Sequence, residues 1–240
     1  MAGALLPSGL TAPMPGTVVA VAVAAGDPHA AVDLLGALSY AQLSGFEALA
    51  ADAHMTPHLR AKLIVARLAV GMFGRCERVV ARLADLGVTE AEAMAPFAAT
   101  IDAFHARTSP SDWLEGIVKA YVGDGILRDF HVEMATHLSG PVCDFIIDML
   151  ADVVESPDIV SQVQEAIAAD PRVHGRLSLW GRRIMGETLQ AVQSVAVERD
   201  SLTALLVGGE PGSDINETGR MFARLTAAHQ QRMTTLGLTP

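Results

Sequence analysis

The sequence predicts an all-α protein, in which a four-helix bundle of two antiparallel hairpins with a long crossover carries two further C-terminal helices. About half of the 240 residues are hydrophobic and only 5% are aromatic. Alanine is abundant and β-branched runs are short, which favours helices over strands. Apolar residues also recur every three or four positions over long stretches, the spacing of one buried helix face.

The first hairpin is predicted from amphipathic stretches over residues 29–54 and 57–86. Thr56 and Pro57 have the residue types preferred at the N-cap and first position of a helix. Because only a short turn joins the two helices, they must run antiparallel. Residues 89–109 follow and are predicted to form a long crossover that contains short helical turns.

The second hairpin is predicted over residues 112–137 and 142–169, with Ser111 as the cap of its first helix. Pro157 interrupts the second of these stretches, which predicts a kink or break near Glu155. Two hairpins with a long crossover between them form the ferritin-like arrangement of a four-helix bundle.

The sequence predicts two regions. Residues 1–29 are rich in Ala, Gly and Pro and are expected to be a flexible N-terminal arm. Residues 30–240 are predicted to be one ferritin-like helical domain, with its core bundle over about 30–169 and a C-terminal helical hairpin over about 173–236. The two helices of this hairpin are predicted over about 173–206 and 215–236, with a Gly-rich loop over 207–213 between them.

Charge and targeting signals indicate a cytoplasmic protein with no membrane contact. The net charge is −10, although residues 171–240 carry 8 basic and 6 acidic residues. Any nucleic-acid contact would therefore use the C-terminal third. The first Lys or Arg in the chain is Arg60, and no apolar run reaches eighteen residues. The two cysteines, Cys76 and Cys143, do not have the spacing of metal ligands. A homo-oligomer is left open.

The predicted bundle directs attention to four helix positions. In carboxylate-bridged dimetal bundles, two helices each supply one carboxylate, and the other two each supply a carboxylate followed three residues later by histidine. The corresponding positions here are Glu47, then Met72 and Arg75, then Asp129 (with Asp124 and Glu133 as rivals), then Asp152 and Glu155.

Several short blocks carry a family resemblance. The most specific is residues 111–116 running into 119–125, and the others are residues 32–35, 46–47, 94–97, 104–108, 221–226 and 232–233. From about Ala31 to the C-terminus, the sequence resembles the actinobacterial ferritin-like proteins related to the tRNA 2-methylthio-N6-isopentenyladenosine hydroxylase, the MiaE-like family.

The resemblance implies a di-iron hydroxylase with Glu-x-x-His on the second helix and Asp-x-x-His on the fourth. It places Met72 at the glutamate, Arg75 and Glu155 at the two histidines, and Asp152 at the aspartate. A thioether is a poor ligand for iron in an oxygen-rich site, and a guanidinium cannot lose its proton. No cofactor is therefore expected, and iron is implied only if the family chemistry survives.

Two functions follow from these substitutions. The first is a non-catalytic scaffold or interaction protein that has lost the dimetal site. The alternative is a metal-dependent tRNA hydroxylase-type oxygenase that uses a rearranged, carboxylate-rich site of Glu47, Asp129, Asp152 and Glu155. We hypothesise that Arg75 fills the former metal cavity and pairs with Glu155 and Asp152, with Asp129 as a further partner.

Arginines in the C-terminal third form a candidate tRNA surface. They could instead form a solvated face that pairs with Glu187, Glu198 and Glu217. The arginines concerned are Arg172, Arg176, Arg183, Arg220 and Arg224.

Overall fold

The computed structural model describes residues 28–151, 156–206 and 215–240. Within these ranges all regular structure is helical, which confirms the all-α prediction. The predicted N-terminal arm lies outside the described residues up to residue 27, and the first helix already begins at Pro28. None of the helices in these ranges is long and apolar enough to cross a membrane.

The first hairpin consists of α1 (Pro28–Asp52), a short 3-10 turn (Ala53–Met55) and α2 (Leu59–Asp85). The cap of α2 differs from the prediction, because the His58 side chain accepts a hydrogen bond from the Ala61 N–H at 3.1 Å. Thr56 instead donates its hydroxyl to the Ala53 carbonyl at 2.8 Å, which closes the preceding turn. The helix therefore starts two residues later than Pro57 suggests.

The crossover is one continuous helix, α3 (Glu90–Arg107), where short helical turns were expected. Thr89 and Glu92 form a capping box that satisfies the first free N–H groups of this helix. Pro96 lies at the seventh position, which made a long helix hard to predict.

The second hairpin consists of α4 (Trp113–Ala135), followed by α5 (Pro141–Ala151) and α6 (Pro157–Ala169). Asp112, and not Ser111, caps α4, because its carboxylate accepts from the Glu115 N–H at 2.9 Å. The predicted interruption before Pro157 is confirmed, since Ser156 has an extended backbone and Pro157 begins a separate helix.

The C-terminal part contains α7 (Arg172–Glu198), α8 (Asp200–Leu206) and α9 (Ile215–Thr235). The predicted helix over 173–206 is thus divided at Arg199, whose backbone is extended. The Arg199 guanidinium pairs with buried Asp33 of α1 at 2.9 Å, which ties this break to the bundle. The predicted loop over 207–213 lies outside the described residues.

Helices α2 and α3 pack on α1, and α7 and α9 pack on α4. Helices α1 and α3 approach each other closely at Gly36, where an added Cβ would collide with the Ala93 carbonyl group. A glycine at this position is what permits the two backbones to come so close.

Gly36→Ala is therefore expected to lower the free energy of unfolding by about 2 kcal/mol, because α3 must move away from α1. Gly74→Ala is the matched control, since a Cβ there meets no atom within 4 Å. The control should be neutral or stabilising by about 0.5–1 kcal/mol. Urea denaturation measures both, and equal effects of the two substitutions would contradict this packing.

Candidate functional site at the middle of the bundle

A layer of polar side chains crosses the bundle between two apolar clusters. The first cluster includes Leu38 of α1 and Phe130 of α4, and the second includes Leu49 of α1 and Val122 of α4. Along α2, Val79 belongs to the first cluster and Met72 to the second. The residues between these positions therefore meet in the bundle interior.

Arg75 of α2 is the centre of this layer. Its Nε donates to the Gln42 side-chain oxygen at 2.7 Å, and its Nη2 pairs with the Asp124 carboxylate at 3.1 Å. Gln42 closes the triangle by donating its amide to Asp124 at 3.4 Å. The side chains of Arg75 and Asp124 are only 16% and 17% exposed, so solvent screens the pair weakly.

The partners of Arg75 in the structure differ from the predicted ones. Asp129 does not join it, because Asp129 pairs with Arg232 of α9 and lies 3.4 Å from Arg128. Asp124 precedes Asp129 by five residues, which turns the side chain by roughly 140° around the helix. Asp124, considered only as a rival on this helix, is the residue that faces Arg75.

The same five-residue offset occurs on α1. Glu47, the expected carboxylate, is exposed, whereas Gln42 is buried and reaches Arg75. Met72 is buried among apolar side chains of the second cluster. Asp152 and Glu155, the remaining predicted positions, lie outside the described residues.

The described residues at this position do not fit a dimetal centre. The guanidinium of Arg75 is hydrogen-bonded to a carboxylate and an amide, and it would repel a cation placed beside it. Within the described ranges, no three His, Cys, Asp or Glu side chains converge closely enough to hold a metal ion.

A second polar cluster next to this layer was not predicted. Lys119 is buried, and its ammonium donates to the Thr108 carbonyl at 2.8 Å and lies 3.1 Å from Nδ1 of His105. Asp52 faces the same cavity of about 40 Å³. An added Cβ at Gly116 would lie 2.7 Å from the Asp52 carboxylate, so this glycine makes room for it.

Burial controls the charge of this cluster. It raises the pKa of Asp52 to about 6, and the nearby Lys119 charge only partly opposes this. Burial lowers the pKa of Lys119 to about 8, and burial together with the Lys119 charge lowers the pKa of His105 to about 4. A neutral imidazole therefore accepts a hydrogen bond from the ammonium at neutral pH.

One signal in the sequence could have revealed this cluster. Lys119 is one of two lysines in the chain and stands in the apolar run Gly-Ile-Val-Lys-Ala-Tyr-Val. A lysine on the apolar side of a core helix requires buried partners. Its partners come from α1 and α3, and their identity depends on how these helices pack.

The arginines of the C-terminal third mostly pair with carboxylates. Arg172 pairs with Asp170, Arg176 with Asp112 and Glu115, Arg220 with Glu217, and Arg224 with Glu133 and Glu217. Arg183 donates to the Arg107 carbonyl at 2.6 Å and lies over the Trp180 ring. Of the three glutamates expected as partners, Glu217 takes this role, while Glu187 pairs with Arg107.

The fold and the interior site define an all-helical, ferritin-like protein with an ion pair at the middle of its bundle. A family model described as a ferritin-like domain of actinomycetes matches residues 27–209, and the chain belongs to this family. No curated protein matches the chain significantly.

Proposed function

We propose that this is a MiaE-related ferritin-like protein that has exchanged its dimetal centre for the Arg75–Asp124–Gln42 network. It then acts as a non-catalytic scaffold or interaction protein. The observation that carries this proposal is the guanidinium of Arg75, which is held by two partners from two other helices. A cation fixed in this way replaces the positive charge that metals would supply to Asp124.

The carboxylate-rich alternative lacks support from the described residues. It needs Glu47 and Asp129 to point to a common ion, but Glu47 is exposed and Asp129 pairs with Arg232. Hard oxygen ligands would suit manganese or magnesium, yet Arg75 would oppose either ion.

Metal content tests this proposal. The wild-type protein, reconstituted with ferrous iron without oxygen and then desalted, is expected to retain no stoichiometric iron by elemental analysis. The variant Met72→Glu/Arg75→His/Glu155→His restores the family's ligand types at these positions, and it should retain more iron than the wild-type protein.

Arg67→His is the control, because it adds an imidazole at an exposed position of the same helix. Iron retention equal to that of the wild-type protein is expected for this control. Two irons per chain in the wild-type protein would overturn the proposal and favour the oxygenase alternative.

A further inference from the structure

A cavity of about 40 Å³ lies inside the bundle, between α1, α3, α4 and α7. Each residue that lines it belongs to one of these four helices, and all four are described over their whole length. The cavity lies in the first apolar cluster, where Phe130 of α4 and Val192 of α7 form part of its wall. The loss of a metal centre does not account for this space.

Two polar groups on the wall of the cavity are buried without a partner. His131 of α4 is 2% exposed, and its Nε2 has no hydrogen-bond partner among the described residues. Thr188 of α7 is 1% exposed, and its hydroxyl also lacks a partner in the described part of the chain. Because buried polar groups are nearly always hydrogen-bonded, these two indicate that another molecule meets them in the cavity.

The protonation of His131 determines which chemical group it can bind. Its Nδ1 lies 2.7 Å from the Leu127 carbonyl, which can only accept, so Nδ1 carries the proton. Burial lowers the pKa of His131 to about 4, so the ring is neutral at neutral pH and Nε2 is an acceptor. The Thr188 hydroxyl is free to donate. A group that donates to the first atom and accepts from the second is required, and a hydroxyl does both.

The remaining wall disfavours charged ligands. Apart from His105, it consists of Ala, Val, Leu, Ile and Phe side chains, so none of the described residues that line it is Asp, Glu, Lys or Arg. The pKa of His105 is about 4, which keeps this imidazole neutral as well. A carboxylate or an ammonium would lose its hydration here without gaining an opposite charge.

The size of the cavity favours an organic molecule over water alone. One water molecule needs about 10–15 Å³, so a single water at His131 and Thr188 would leave most of the space empty. Further waters would meet only apolar side chains, and such cavities tend to stay dry. An alkyl group attached to the hydroxyl would instead contact these side chains.

We propose that this cavity binds a small neutral alcohol, whose hydroxyl donates to Nε2 of His131 and accepts from Thr188 while its alkyl group contacts the apolar wall. His105 and Leu127 are partly exposed, whereas the other residues of the wall are buried, so the ligand enters beside these two. This binding goes beyond the proposed function and does not depend on the absence of a metal centre.

An NMR titration with propan-2-ol and acetone tests the proposal. The two molecules share a carbon skeleton, but acetone can only accept a hydrogen bond. Propan-2-ol is expected to shift the backbone amide signals around His131 and Thr188 in a saturable manner, with the millimolar affinity typical of so small a ligand. It should bind about fivefold more tightly than acetone, because only the alcohol donates to Nε2.

Shifts that rise without saturation would overturn the proposal, and so would equal affinities of the two molecules. Either result would mean that the cavity holds no more than water. This comparison uses the wild-type protein, so it does not depend on the folding of any variant. The iron content is a separate measurement, and neither result changes the interpretation of the other.

Thr188→Val removes the hydroxyl and keeps the shape of the side chain. It should lower the affinity for propan-2-ol by about fivefold without lowering the free energy of unfolding, since the lost hydroxyl has no partner among the described residues. Thr234→Val is the matched control, because Thr234 is exposed on α9 and does not line the cavity. Equal affinities of these two variants for propan-2-ol would overturn the proposal.

Discussion

Arg75→Ala is expected to lower the free energy of unfolding by about 3 kcal/mol. The substitution removes the cation and leaves Asp124 and buried Gln42 without their strongest partner in the bundle interior. An uncompensated carboxylate in such a place loses far more than an exposed one, because little water reaches it. Urea denaturation at neutral pH measures the effect.

A double-mutant cycle separates the ion pair from the packing of the arginine stem. Arg75→Ala/Asp124→Ala should be more stable than the sum of the two single changes predicts, by about 1–2 kcal/mol. Arg67→Ala serves as the control on the same helix and should stay within about 0.5 kcal/mol of the wild-type protein. Additive effects of the two single changes would show that Arg75 and Asp124 do not interact.

The elements of the bundle could be predicted because local signals mark them. Pro57, Gly87 and Pro157 lie close to helix ends in the structure, and the apolar spacing identifies the buried faces between them. The predicted N-cap residues of α2 and α4 were wrong, because another side chain of the same turn accepts the capping hydrogen bond. His58 and Asp112 cap α2 and α4 because their acceptor atoms reach the third N–H of each helix.

The candidate site was predicted in part. The arginine at position 75, close to the buried face of its helix, was visible in the sequence, and so was the need for an acid to meet it. Which acid lies opposite depends on the rotation of α1 and α4, and one sequence does not determine this rotation. A five-residue error exchanges Asp124 for Asp129, and Gln42 for Glu47, because five residues differ from a whole number of turns.

Acidification is expected to destabilise the fold between about pH 6.5 and pH 4, because the buried His131 and His229 and the half-buried His105 are neutral in the folded protein. Burial lowers the pKa values of His131 and His229 to about 4, and that of His105 to about 4 with help from the Lys119 charge. The Nδ1–H of His131 donates to the Leu127 carbonyl at 2.7 Å, and its buried Nε2 has no hydrogen-bond partner among the described residues.

The direction of this pH effect follows from the protonation of the histidines in the folded and in the unfolded chain. The unfolded chain binds a proton at each histidine near pH 6.5, whereas the folded chain does so only near pH 4. Each histidine therefore contributes stability that is complete above pH 6.5 and lost as the pH falls, by up to about 3 kcal/mol for the fully buried His131. Asp52 acts in the opposite sense, because its raised pKa makes the folded state hold a proton up to about pH 6.

The balance between these groups determines how steeply the free energy of unfolding changes with pH. Three histidines against one aspartate leave a net uptake of about two protons on unfolding near pH 5. His131→Phe removes one of the three without adding a polar group to the core, so the slope of unfolding free energy against pH should fall by about one proton. Urea denaturation between pH 7.5 and pH 4.5 gives this slope for each variant.

His137→Phe is the appropriate comparison, since His137 follows the same helix and is exposed. This variant makes the same His-to-Phe change at the protein surface, and the slope of His131→Phe is compared with its slope. If the two variants had the same slope, the buried imidazole would have to be protonated in the folded protein. His131 would then need a second acceptor at Nε2, and the core around it would have to open to supply one.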